Sequence, residues 1–105
     1  MASHNGGPFA IGQLPIVLSQ VRTLAQKAMA TGALRELRTA VVAMIEELRT
    51  RPLQWDDPES HPRKQGSLVC HGIVSPLFVR YVVYEPERVV IVLEIRPLPG
   101  SGLEL

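Results

Sequence analysis

Arg80, Tyr84 and Arg96 are the residues of this chain with the greatest chemical reach. All three sit at even positions in strand-like runs, and alternate residues of a strand share a face. Cations on one sheet face can hold a phosphate or a carboxylate. A tyrosine beside them can stack on a ligand or transfer a proton. Each also has a plainer reading. Arg80 can pair with Glu94, and Tyr84 can simply pack, which leaves Arg96 as the more available cation. His71 lies in a strand interior and is either a satisfied structural histidine or a binding group. His61, Arg63 and Lys64 form a small basic cluster in a connector, read either as a solvated loop or as a contact for phosphate or a carboxylate partner.

Other chemistries lack their residues. There is no glycine-rich phosphate loop. His4, His61 and His71 have no i,i+4 partner and the chain has a single cysteine, so no metal site and no cofactor are expected. Ser67, Ser75, His61 and Asp57 do not form a hydrolase constellation, and Asp56, Asp57 and Glu59 read as solvated turn residues. Cys70 sits in an apolar run and reads as a small buried hydrophobe. A lone cysteine cannot staple its own fold, which fits a reducing cytoplasmic compartment. The 11 Lys plus Arg against 10 Asp plus Glu give a net charge of +1. Any basic patch must therefore come from placement rather than excess.

The elements that must position these groups follow from periodicity. The 105 residues, 46% of them apolar, suit a single domain with one core. Met1–Gly7 reads as a disordered tail, and no apolar run approaches the roughly 18 residues that span a bilayer. Phe9–Gln13 is a weak strand signal at a sheet edge. Leu14-Pro15 opens a helix with Leu14, Val17, Leu18, Val21, Leu24, Ala25, Ala28 and Met29 on one stripe and Gln20, Arg22, Gln26 and Lys27 on the other side. Thr31-Gly32 ends it. A second helix carries Leu34, Leu37, Val41, Met44, Ile45 and Leu48, and Arg51-Pro52 stops it. Two helices so closely joined form an antiparallel hairpin that needs a further layer.

That layer follows Pro52–Gly66, a polar connector whose Trp55 reads as an anchor onto the core. Three strands are predicted, Leu68–Val74, Leu77–Glu85 and Val89–Ile95. Residues 99–105 read as an extended or frayed tail. The fold class is therefore α+β: a weak strand and a helical hairpin packed on an antiparallel meander of three to four strands.

Parity sets an expected register. Leu77, Val79, Tyr81 and Val83 alternate with outward residues, as do Val89, Ile91, Leu93 and Ile95. Placing both odd sets on the helix side requires a three-residue loop, Pro86-Glu87-Arg88. That register puts Tyr81 opposite Leu93 and Arg80 opposite Glu94, a charge pair worth about 0.2–1 kcal/mol. Phe78, Arg80, Val82 and Tyr84 then share an outward face with Val90, Val92, Glu94 and Arg96.

The element order, with the runs Phe78-Val79-Arg80-Tyr81-Val82-Val83-Tyr84-Glu85 and Val89-Val90-Ile91-Val92-Leu93-Glu94-Ile95, resembles the RelE/ParE superfamily of bacterial toxins from type II toxin–antitoxin systems. The resemblance covers about Phe9 to Leu98 and implies one such domain over residues 8–98. RelE-like members cut messenger RNA in the ribosome without a metal, using basic residues and often a tyrosine on the sheet. ParE-like members poison DNA gyrase. Both are held inactive by an antitoxin, and such systems serve plasmid stabilisation. This sequence departs from the nuclease pattern. Phe78 stands where the family's usual arginine precedes the tyrosine, Arg96 is the only base at the end of the last strand, and net charge is near zero.

The expectation is a toxin-type protein that acts by binding, with weak or no nuclease activity. Arg80, Tyr84 and Arg96 are its site candidates, and Arg63, Lys64 and His71 are its substrate-binding candidates. A ribosome-dependent, metal-independent endoribonuclease is the first alternative. A non-toxin interaction module of the same fold is the second. The implied partners are an antitoxin and either the ribosome with its mRNA or gyrase, with a homodimer left open and no membrane.

Overall fold

The computed structural model describes residues 8–55 and 67–104. The order is β1 (Ala10–Gln13), α1 (Pro15–Thr31), α2 (Leu34–Thr50), α3 (Pro52–Trp55), β2 (Ser67–Val74), β3 (Leu77–Tyr84) and β4 (Val89–Pro97). Pro15 occupies the first helical turn of α1, where its missing N–H leaves no carbonyl unserved. Gly32 closes α1 at φ 77, and its N–H donates to the Ala28 carbonyl. Glu36 in the first turn of α2 and Arg49 in the last both suit the helix dipole. Pro52 ends α2 and begins α3, a single turn inside the segment expected to be only a connector.

The sheet order is β1-β4-β3-β2, with β1 parallel to β4 and the other pairs antiparallel. The helices cover its inward face. Val17, Leu24 and Ala28 of α1 and Leu37, Ala40, Met44 and Leu48 of α2 are buried there. Leu14, Leu18, Met29 and Ile45, expected in the buried stripes, are exposed, because two helices on a four-stranded sheet cannot bury the full width of both stripes.

Trp55 anchors α3 as expected. Its ring stacks on Tyr81 with centroids 5.7 Å apart, and it lies against the Cα of Gly72, where a Cβ would sit 2.5 Å from ring carbon Cδ2. The buried Tyr81 hydroxyl donates to the Pro52 carbonyl. Leu98–Glu104, read as a tail from residue 99 on, is irregular but turns back, so that Leu103 is buried.

The hairpin register needs a correction. Arg80 does face Glu94, but Tyr81 faces Val92 rather than Leu93, and Tyr84 faces Val89. The loop is Glu85–Arg88, four residues, with Arg88 in the left-handed region at φ 58. The ladder shifts by one between Arg80 and Tyr81, a β-bulge that leaves Leu93 unmatched. Near the turn, Val90 and Val92 are therefore buried, and Val89 and Ile91 are not. Beyond the bulge, parity returns and Ile95 is buried as expected.

Candidate functional site

The outward face reads as a grid of strand rows. His71, Arg80 and Glu94 lie side by side, and Ile73, Phe78 and Arg96 form the next row. The Glu94 carboxylate stands between the two arginines. It is 3.8 Å from the Arg80 guanidinium and 3.4 Å from that of Arg96. Arg96 lies over the Phe78 ring at 4.6 Å, a cation–π contact. The His71 ring is tilted against that of Phe78, with centroids 5.5 Å apart. Arg80 and Arg96 keep side-chain exposures of 49% and 59%, so solvent screens both ion pairs.

Three of the expected site residues thus come together: Arg80, Arg96 and His71. Tyr84 shares their face but not their neighbourhood. It lies two rows from Arg80, roughly 13 Å at the rise of a strand, between Ser67 and Val89. Arg63 and Lys64 lie outside the described residues, as do His61 and the acidic residues of that connector. Cys70 is buried on the opposite face from His71, so the two cannot form a nucleophile–base pair.

Sequence reasoning assigned Gln20 to the solvated side of α1. In the structure its Oε1 accepts the backbone N–H of Ile95 at 2.8 Å, immediately beyond the bulge. A glutamine beside an apolar stripe carries no signal for this role, since the bulge that calls for it is set by the long-range fit of β4.

Among the described residues no group of three or more His, Cys, Asp or Glu could hold a metal, and no helix is long and apolar enough to cross a membrane. What the face can do is grip an anion with two guanidinium groups next to apolar and aromatic surface.

No family model and no curated protein matches the sequence. A solved structure matches the fold. The archaeal RelE–RelB complex from Pyrococcus horikoshii OT3 contains a chain that superposes with a TM-score of 0.53 at 12% identity, over 89% of this chain and 98% of that one. The fold is RelE-like. At this identity the likeness speaks for architecture alone.

Proposed function

We propose that this chain is a toxin-type protein of a toxin–antitoxin system that acts by binding, with weak or no nuclease activity. The observation that carries the reading is the shared carboxylate. The two cations on the outward face have Glu94 between them. Cleavage of RNA by its own 2′-hydroxyl asks for a base, a cation for the developing charge and an acid, all converging on one phosphate. Here Tyr84 stands rows away from the arginines, and their charge is partly neutralised by a neighbour. Binding asks for less: an anion-compatible patch bordered by Phe78 and Ile73.

The RelE-like fold supports an antitoxin as partner, because the solved relative is a complex of RelE with RelB. The cellular target is proposed as the ribosome or gyrase, reached in the cytoplasm. The endoribonuclease reading retains one supporting observation, His71 beside Arg80 in the same row, a titratable group next to a phosphate-type cation.

Expression in a bacterial host separates these readings. The expected outcome is growth arrest with ribosome-bound mRNA left intact, relieved by Arg96→Ala. That variant should keep thermal stability within about 0.5 kcal/mol of the parent, as exposed substitutions do. Ribosome-dependent mRNA cleavage lost with Arg96→Ala would establish the nuclease instead. Unimpaired growth would leave an interaction module of the same fold.

A further inference from the structure

β1 is one edge of the sheet, and its outer side is open. The Ala10 N–H donates to the Arg88 carbonyl and the Leu14 N–H to the Val92 carbonyl, so the even-numbered backbone groups of this run serve β4. In a parallel ladder the alternate residues turn their N–H and C=O groups the other way. Phe9 finds a partner on that side, its N–H donating to the Arg49 carbonyl at the end of α2. Among the described residues, Ile11 and Gln13 meet no backbone group there.

Strand edges are normally blunted by a charged side chain, a proline, a bulge or a covering element. Ala10-Ile11-Gly12-Gln13 has neither charge nor proline, and its register on β4 is unbroken. On the helix side the edge opens into an apolar groove between α1 and α2, lined by Ile11, Gln13, Leu18, Val21, Ile45 and Leu48. Leu18 and Ile45 are 53% and 43% exposed there.

An open edge beside an apolar wall selects an extended occupant. A helix could fill the groove, but along its length its backbone groups are already paired, so it leaves Ile11 and Gln13 unserved. A second β1 serves them fully. Turned antiparallel about a twofold axis at Gly12, it sets Ile11 of each copy opposite Gln13 of the other. The same two residues are then donor and acceptor on both sides, so every outward N–H and C=O of the pair is satisfied. Gly12 meets its own counterpart at the closely spaced position, with no side chain between the strands. Opposite residues of an antiparallel pair share a face, so both helix layers lie on one side and the two grooves meet edge to edge.

We propose that this chain forms a homodimer by antiparallel pairing of β1 with β1, joining two four-stranded sheets into one, with Leu18 and Ile45 of both copies closing over the joint. The interface is independent of the toxin reading. Arg80 on β3 and Arg96, beyond the end of the β1 ladder, stay uncovered. A ladder this short with a few aliphatic side chains is at the small end of specific interfaces. Association should therefore be reversible, with a dissociation constant on the order of 10–100 µM.

Sedimentation velocity on the full chain, from about 1 to 500 µM, should show the mass rising from one chain towards two. Leu18→Lys and, separately, Ile45→Lys set like charges together across the twofold axis and should weaken association at least about tenfold. Val42→Lys changes a residue of α2 that is 68% exposed outside the groove, and should leave association within about twofold. Hydrogen exchange identifies the edge. The Ile11 and Gln13 amides should slow by about fivefold or more over the same range, while Gly12, whose N–H already serves β4, changes little. That measurement uses the unaltered chain, so it decides the matter even where a lysine disturbs the groove.

A single-chain mass at every concentration would overturn the proposal. So would a dimer that Val42→Lys weakens as much as Leu18→Lys does. A dimer whose Ile11 and Gln13 amides exchange as fast as in the monomer would also overturn it, because the copies would then meet through another face.

Discussion

The two faces of the sheet are built from the same three long strands and do opposite work. On the inward face Leu77, Val79, Tyr81, Val83, Val90, Val92 and Ile95 are each at most 3% exposed. The Tyr81 hydroxyl, the polar group among them, reaches the Pro52 carbonyl. On the outward face, Arg80, Arg96 and Glu94 remain between 31% and 59% exposed, and Ile73 is 58% exposed beside them. Buried apolar side chains are worth about 1.5–3 kcal/mol each, whereas exposed ion pairs are worth at most about 1 kcal/mol. The inward face therefore holds the fold. The outward charges add little to stability and are free to be chosen for what they contact.

The comparison breaks most sharply at Gly72. It sits on the inward face of β2, and a Cβ there would lie 2.5–2.7 Å from three carbons of the Trp55 ring. The ring is rigid and pinned by its stack on Tyr81, so it cannot yield as a flexible side chain would. Gly72→Ala is expected to cost about 1–3 kcal/mol through overpacking. Thermal unfolding measures the loss. Trp55 is the chain's only tryptophan, so its fluorescence should shift to the red as the ring is displaced. An unchanged emission maximum and melting temperature would mean that the inward face is looser than its burial implies.

A smaller effect is expected where the faces are joined. Gln20→Ala removes the acceptor for the Ile95 N–H. Losing a hydrogen bond to a part-buried backbone group costs about 1 kcal/mol. The local consequence is more informative than the energy. With the bulge unpinned, amide exchange at Ile95 should accelerate while Val79 and Val83 on the neighbouring strand stay protected. Equal protection in both proteins would show that the bulge is held by packing alone.

The inward face was largely legible beforehand, because burial leaves a period in the sequence. The alternation Leu77, Val79, Tyr81, Val83 placed β3 correctly, and Thr31-Gly32 and Arg51-Pro52 marked the helix ends. The outward face was legible only in part. Opposite charge on Arg80 and Glu94 located the far half of the hairpin, whose register agrees with the expectation from Arg80 to Leu77. The near half did not follow, because β4 is apolar at both parities from Val89 to Leu93. Alternation there carries no preference, and a four-residue loop with a compensating bulge satisfies the core as well as the three-residue loop. Gln20 was misplaced for a related reason: helical periodicity reports the side of a helix, not the unpaired strand amide it will meet.

The smallest effect concerns the C-terminal strap, where an exposed carboxylate holds an inward residue in place. Leu103 is 2% exposed. The chain reaches that position through a turn in which the Glu104 carboxylate accepts the backbone N–H groups of Gly100 and Gly102 and the Ser101 hydroxyl. Hydrogen bonds from backbone N–H groups, its own first and then that of Gly100, with the Ser101 hydroxyl next, bring the Glu104 carboxyl from 4.5 down to about 2. A carboxyl depressed in the folded state favours folding above its ordinary pKa, and that contribution fades as pH falls from about 4.5 towards 2. Because the carboxylate is fully exposed, the change in global stability should be slight. The readout is local: the Glu104 carboxyl carbon should titrate near pH 2, and the Leu103 methyl resonances should move with it. A midpoint near 4.5 would mean that the strap is held by Leu103 packing against the core and not by its polar turn.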